Sequence, residues 1–408
     1  MIITDNNSKN KVTMKAVQGK ELGDIDAMLT VEDNISMPNL DDLSAKKRKK
    51  SIIIQTHAVS LACGDCRVLS GKTRKFQGPP SFPYIPGGDC SGIVWKIPTE
   101  TECPFQVGDR IAARFTEGPR GALAEYAIID TTVCEKIPDN ISFEEGAVLA
   151  SASPATLLAE RIREGERVLI IGAGGGVGSH TCQIMRRQQR ASYIVGVSLT
   201  PDRLLQDPLN YNEAINYSEK DIFSMNKFKD DPFDVVVDLA LGSWLRLMKD
   251  YNDNKSIVKP SSEGGRYLTL TPDEAIFEAH TLMSILKPYL LIPLWRALKS
   301  RLWGRCRLPK YTYAHSLAME RSHLTRTMNM AKDGSTLKAV IDSREGRPFP
   351  FTTKGVRKAF RLQETRHIHG KVVIQVNNNN NNNSSSTDDD DNKKNSSTDD
   401  HESKEYKC

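Results

Sequence analysis

The chain has 408 residues, more than the roughly 250–300 at which a single hydrophobic core stops growing, so it is read as more than one domain. Its 56 Lys and Arg against 51 Asp and Glu leave a net charge of +5, too near balance to supply the field that holds nucleic acid. Eight cysteines are too sparse for a secreted disulfide scaffold, and the polar start MIITDNNSKNKVTMK has no apolar signal segment, which together point to the cytoplasm.

Residues 1–13 read as a flexible N-terminus. From Met14 come short β-type runs broken by turn residues: MKAVQ, SIIIQTHAVSL, SGIVWKI after Pro86-Gly87-Gly88, DRIAARF and LAEYAIID. They predict a β-rich domain over 14–145. Apolar spacing turns helical in FEEGAVLASASPATLLAERI, which Gly165 closes, and a parallel-sheet domain is predicted over 146–333. It opens with a strand at VLII, a glycine turn, a helix over His180–Arg190 and a strand at YIVGV, a βαβ unit. FDVVVDLA and RYLTL supply further buried strands; residues 334–376, ending in the strand GKVVIQV, close the ordered part. The tail 377–408, an asparagine run followed by Ser, Thr, Asp and Lys, lacks the apolar surface to offset ordering and reads as disordered.

The turn in VLIIGAGGGVG carries the strongest chemical signal. A pyrophosphate needs backbone N–H groups and a helix N-terminus, and side chains would block its approach. Ala173, Gly175, Gly176, Val177 and Gly178 stand between an apolar strand and a helix, the context such a turn requires. About 20 residues on, where a carboxylate would bind a ribose 2′-hydroxyl, the chain has Ser198, which permits a 2′-phosphate. Arg203 is either a partner for that phosphate or a solvated helix residue.

In order, YIPGGDCSGIV, FQVGDRIAARF, GALAEYAIID, VLIIGAGGGVGSH and INYSEKD resemble the medium-chain dehydrogenase/reductase superfamily, in its zinc-free quinone oxidoreductase and enoyl-reductase-like branch. The resemblance runs from Met14 to about Leu270 and resumes from LKAVID through AFRLQETRHIHGKVVI. It implies an α/β fold: a GroES-like β-rich catalytic domain, made of 14–145 and the 334–376 return, around a Rossmann doubly wound parallel-sheet domain. It also implies a homodimer, an NADP(H) cofactor, and a 2′-phosphate held by Tyr217 of INY and Arg366 before the terminal GK strand.

Zinc-dependent members have a Cys and a His where this chain has Ala62 and Gly88, while Asp89 is kept, so no metal is expected. Cys63 and Cys66 form a lone CxxC without a second pair. Relatives place an Asn and a Tyr in the loop that reads here LACGDCRVLSG; this chain has Ala62 and Arg67 there and keeps Asp65. Asp65 and Arg67 are the catalytic candidates, Arg67 either steadying a developing oxyanion or standing as a plain surface residue.

Three features lie outside this frame. The run Lys46–Lys50 reads as a solvated hairpin rather than a polyanion patch. His367 and His369 read as packing or cofactor-edge residues. Leu282–Trp303, within an apolar insertion near 280–305, is broken by Lys287, Pro288 and Pro293 and too short to span a bilayer. It reads as buried within the subunit or in a dimer, with a peripheral membrane contact as the alternative. The expected function is zinc-free hydride transfer from NADPH to a small quinone or α,β-unsaturated carbonyl. The alternatives are a non-catalytic NADPH-binding or membrane-associated interaction protein on the same fold, and an alcohol dehydrogenase-like enzyme.

Overall fold

The computed structural model describes residues 12–377 apart from 73, 75–77, 79–80, 115–120, 189–190, 241, 251–255, 271–272, 274–280, 303–307, 315–320, 335 and 345–347. The readings of the first 11 residues, of the tail from 378 and of Trp303 fall outside the described residues.

Alternating and continuous apolar runs give two sheets of different character. A seven-stranded sheet takes β3 (Ser51–Ser60), β4 (Asp89–Lys96), β5 (Arg110–Ala113), β6 (Tyr126–Asp130) and β7 (Cys134–Lys136), joined by β14 (Phe349–Pro350) and β15 (Val373–Gln375) from the C-terminal return. Its order is β14-β15-β3-β4-β5-β7, with β6 also paired to β3. The return is thus part of the β-rich layer: Val373 pairs with Ser60 and Ile374 with Val59. Beside it, β1 (Thr13–Gly19) and β2 (Leu29–Ser36) form an antiparallel pair.

The second sheet is wholly parallel, formed by β8 (Arg167–Ile171), β9 (Tyr193–Ser198), β10 (Glu213–Asn216), β11 (Val235–Asp238), β12 (Arg266–Thr269) and β13 (Lys310–Tyr313). Its order, β10-β9-β8-β11-β12-β13, is the doubly wound order of a Rossmann sheet. Strands covered on both faces must be apolar throughout, and Val168, Leu169 and Ile170 of β8 and Val235, Val236 and Val237 of β11 are all fully buried. Each such side chain stabilises the fold by roughly 1.5–3 kcal/mol relative to leaving it in water.

The helical stretch after Phe143 is two helices, Phe143–Ala152 and Pro154–Ala159. Ser142 and Glu145 close the first as a capping box, each side chain bonding the other's backbone N–H at 3.2 and 2.8 Å. The helix after the glycine turn spans Gly176–Arg187, beginning four residues before the predicted His180 because the turn glycines themselves enter it. The Lys46–Lys50 run is corrected from a hairpin to one helical turn, Ala45–Arg48, ahead of β3.

Burial of the whole 282–302 stretch within the subunit is also corrected. Its helices, Leu282–Leu286 and Ile292–Leu302 with a π-helical turn Lys287–Leu291 between them, bury Pro293, Arg296 and Ser300. Leu282, Met283, Leu290, Leu291, Leu294, Trp295, Leu298 and Leu302 are exposed. The inner face is occupied by polar anchoring: Arg296 pairs with Asp273, and Ser300 Oγ accepts the Tyr311 N–H of β13 at 3.1 Å.

Candidate active site

The glycine turn sits at the C-terminal end of β8, where the connections lead to β9 on one side and β11 on the other, the switch point at which doubly wound sheets bind ligands. The Gly176–Arg187 helix starts with the Ser179 N–H bonded to the Gly175 carbonyl. By helix geometry this leaves the N–H groups of Gly176, Val177 and Gly178 without an intrahelical acceptor, at the positive end of the helix dipole. Ala173 is fully buried, its N–H bonded to Val197 at 3.1 Å, which ties the turn to β9. A Cβ on Gly178 would stand 2.5 Å from the Gly172 carbonyl oxygen, so only glycine lets helix and strand approach this closely.

The C-terminal return is bonded directly to this turn. Gly370 donates its N–H to the Gly174 carbonyl at 2.9 Å, and Gly370 bridges Gly175. Next to it, Lys371 is 7% exposed and its Cδ fills the space a Gly176 Cβ would need. Burial pushes the Lys371 ammonium down from its ordinary value, with Asp89, Cys63 and Asp65 acting against that. The aliphatic stem of this lysine is laid over the helix N-terminus. Sequence reading took GKVVIQV only as a strand; strand pattern carries no sign of where one lysine side chain goes.

His180 reinforces the same junction. It is fully buried, Nδ1 lies 2.5 Å from the Gly176 carbonyl and Nε2 lies 3.3 Å from the Val340 N–H. One nitrogen must donate and the other accept, which fits the neutral ring only, and burial pushes its pKa down to about 4.

At the far end of the turn, the Ser198 Oγ lies 2.9 Å from where a Gly174 Cβ would stand and accepts the Thr200 N–H at 3.3 Å. The Arg203 guanidinium is turned inward, with Nη1 3.4 Å from the Gly174 carbonyl, and burial lowers its pKa, so it is not a freely solvated helix residue. His369 Nε2 lies 3.3 Å from the Thr200 hydroxyl, and its N–H bonds Asp342 at 3.0 Å. Burial opposes the Asp342 charge, yet hydrogen bonds from Arg344 and His369 outweigh it and hold the carboxyl at about 2. Tyr217 follows the end of β10 and is half exposed; Arg366 is exposed as the C-cap of the Thr353–Thr365 helix, in left-handed conformation at φ 60°. The structure therefore gathers Ala173–Gly178 with Ser198 and Arg203, and leaves Tyr217 and Arg366 at the ends of two elements on the surface.

The loop LACGDCRVLSG folds as a helix over Cys63–Leu69. Asp65 is 1% exposed and its carboxylate accepts the Ala62 N–H at 2.7 Å, closing the helix start; its bond shapes the loop. Arg67 points the other way, its Nη1 3.4 Å from the Tyr289 hydroxyl of the 282–302 segment. Tyr313, at the end of β13, belongs to the same group: burial and the neighbouring Tyr289 push its phenol up, so it stays protonated, while Arg67 acts against that. Neither tyrosine was among the sequence candidates, since KYTY is too short and polar to read as a buried strand.

Cys66 is held as a thiol by burial and by Asp65 and bonds the Phe360 carbonyl at 3.7 Å; Cys63 accepts from Gln363 at 3.5 Å. Among the described residues no group of three or more His, Cys, Asp and Glu side chains is arranged to hold a metal ion. Asp89 lies 3.6 Å from Arg114.

Residues 48–139 match the alcohol dehydrogenase GroES-like domain family. Over 370 residues the chain is 26% identical to the NADPH-dependent alkenal/one oxidoreductase of Arabidopsis thaliana, covering 88% of this chain and 79% of that protein. It is 30% identical over 228 residues to the quinone oxidoreductase of Mus musculus, covering 54% of this chain and 64% of that protein. Among solved structures, the Escherichia coli quinone oxidoreductase complexed with NADPH superposes with a TM-score of 0.61 at 19% identity, over 88% of this chain and 99% of that one.

Proposed function

Because the chain belongs to the medium-chain dehydrogenase/reductase superfamily, in its quinone oxidoreductase and alkenal reductase branch, we propose that it is an NADPH-dependent reductase of small quinones or α,β-unsaturated carbonyls. The observation that carries this reading is the junction of Gly370 and Lys371 with the Gly174–Gly178 turn, which brings the β-rich sheet's own strand end onto a dinucleotide-type helix N-terminus. NADPH, when bound, supplies the hydride.

The residues fit that cofactor. The N–H groups of Gly176, Val177 and Gly178 and the Lys371 ammonium would hold the pyrophosphate, an anion suited to a helix N-terminus with a lysine stem packed against it. Ser198 offers no carboxylate to repel a 2′-phosphate, and Arg203, Tyr217 and Arg366 would hold it, with His369 and Thr200 at the rim. The half-buried Arg67, fixed against Tyr289, would orient the acceptor oxygen and stabilise the charge that develops on it. Tyr313, kept protonated, would donate to the same oxygen. Asp65 positions the loop that presents Arg67. The chain would assemble as a homodimer through β13, the last strand of its parallel sheet, measurable by light scattering.

The test is turnover: the purified full chain should oxidise NADPH when a quinone or enone is added. Tight NADPH binding with no turnover on any acceptor would favour a non-catalytic binding protein.

A further inference from the structure

We propose that the 282–302 segment is an interfacial helix that docks the protein on anionic membrane surfaces, beside the loop that carries Arg67. The inference goes beyond the reductase reading and stands on the segment's own two faces. Its inner positions, Tyr289, Pro293, Arg296 and Ser300, are spaced by four, three and four residues, one helical stripe. That stripe is anchored: Tyr289 to Arg67, Arg296 to Asp273 and across the Tyr311 ring, Ser300 to the Tyr311 N–H.

The outer stripe is apolar. Leu290, Leu291, Leu294, Trp295, Leu298 and Leu302 recur at the same spacing and are between 44% (Leu298) and 62% (Leu294) exposed, and Leu282 reaches 72%. A contiguous patch of large apolar side chains on a helix is unusual on a surface that meets only water. Inner anchoring by polar groups means that the segment cannot turn this stripe inward without breaking the Arg296–Asp273 pair.

Charge selects the occupant. Between residues 281 and 310 the sequence has Lys287, Arg296, Lys299, Arg301, Arg305, Arg307 and Lys310 and not one Asp or Glu. Arg296 is committed to the ion pair with Asp273, and Lys287 and Arg301 are exposed alongside the apolar stripe. Leucine and tryptophan flanked by basic residues, with no acidic residue, match an anionic lipid interface, where the apolar chains enter the headgroup boundary and the cations meet the phosphates. A self-complementary face between copies would place these cations against one another. Among the described residues no helix is long and apolar enough to cross a membrane, so the contact is peripheral.

The test uses the full chain without cofactor or acceptor, so that its outcome is independent of any reductase activity. Vesicles of phosphatidylcholine alone, or of phosphatidylcholine with phosphatidylserine, are sedimented with the protein. Binding to the phosphatidylserine vesicles is expected to exceed that to phosphatidylcholine by at least tenfold and to weaken as salt is raised. Leu294→Asp with Leu298→Asp should lose at least tenfold of it with an unchanged thermal unfolding midpoint, since both side chains are already in solvent. Lys287→Glu with Arg301→Glu tests the charge separately and should erase the lipid selectivity. Equal binding by wild type and L294D/L298D, or no sedimentation with either vesicle, would overturn the proposal. So would a wild-type dimer that becomes monomeric in L294D/L298D while neither protein binds vesicles, which would make the face a contact between copies.

Discussion

The Arg67 guanidinium and the Tyr289 hydroxyl, 222 residues apart in sequence, meet at 3.4 Å. This contact ties the candidate catalytic loop to the 282–302 segment, so a partly exposed apolar segment lies against the part where chemistry is proposed. At that distance the bond is long, and an acceptor oxygen entering between the two groups would compete for the same guanidinium.

Arg67→Ala is expected to lower kcat/KM for quinone or enone acceptors by about 10- to 100-fold, the loss of roughly 1.5–3 kcal/mol of charge-assisted hydrogen bonding, with NADPH affinity unchanged. Tyr289→Phe should lose less, and the double variant should lose less than the sum of the singles, because the two groups act together. Steady-state kinetics with a titration of NADPH checks all three; additive losses would separate the residues.

Lys371→Met should weaken NADPH and NADH alike, by about tenfold or more, because the ammonium is proposed to meet the pyrophosphate common to both. Arg366→Ala and Arg203→Ala should weaken NADPH more than NADH, since only NADPH carries the 2′-phosphate. Fluorescence titration with both dinucleotides separates the two patterns; equal losses of both cofactors in Arg366→Ala would remove Arg366 from the 2′-phosphate.

The neutral His180 makes stability depend on pH. Its folded pKa, about 4, lies below its unfolded value near 6.5, so the unfolded chain binds the proton more readily. The stability it protects is present above pH 6.5 and is lost progressively as the pH falls toward 4, roughly 2 kcal/mol by pH 5. His57, 2% exposed and pushed down chiefly by burial, acts in the same direction. The Asp342 carboxyl, at about 2, contributes a loss only below its ordinary value of 3.8. Urea unfolding of the full chain at pH 7 and pH 5 checks this, and His180→Gln should be less stable at pH 7 with a flatter dependence.

Local patterns were enough for much of this architecture. The continuous apolar runs VLII and VVVD belong to a sheet covered on both faces, and the glycine spacing marked a turn whose close approaches leave no room for side chains. His369, read as a packing or cofactor-edge residue, lies beside Thr200, just past β9. What was not legible depends on tertiary approach. Lys371 matters because its strand ends against Gly176, and Tyr289 and Tyr313 because two segments far apart in sequence converge on Arg67. The 282–302 stretch misled because its apolar content suggested burial, whereas three inward positions spaced along the helix hold it by polar contacts and leave the leucines outside. Tyr217 and Arg366 follow from the superfamily resemblance alone, and titration with NADPH and NADH tests the 2′-phosphate role proposed for them.

Hydride transfer from NADPH is tested by NADPH oxidation by the purified full chain against a panel of quinones, enones, aldehydes and alcohols, with NADH run in parallel. Turnover with quinones or enones and a clear preference for NADPH are expected. A clear preference for NADH, or turnover confined to alcohols, would contradict the proposed function.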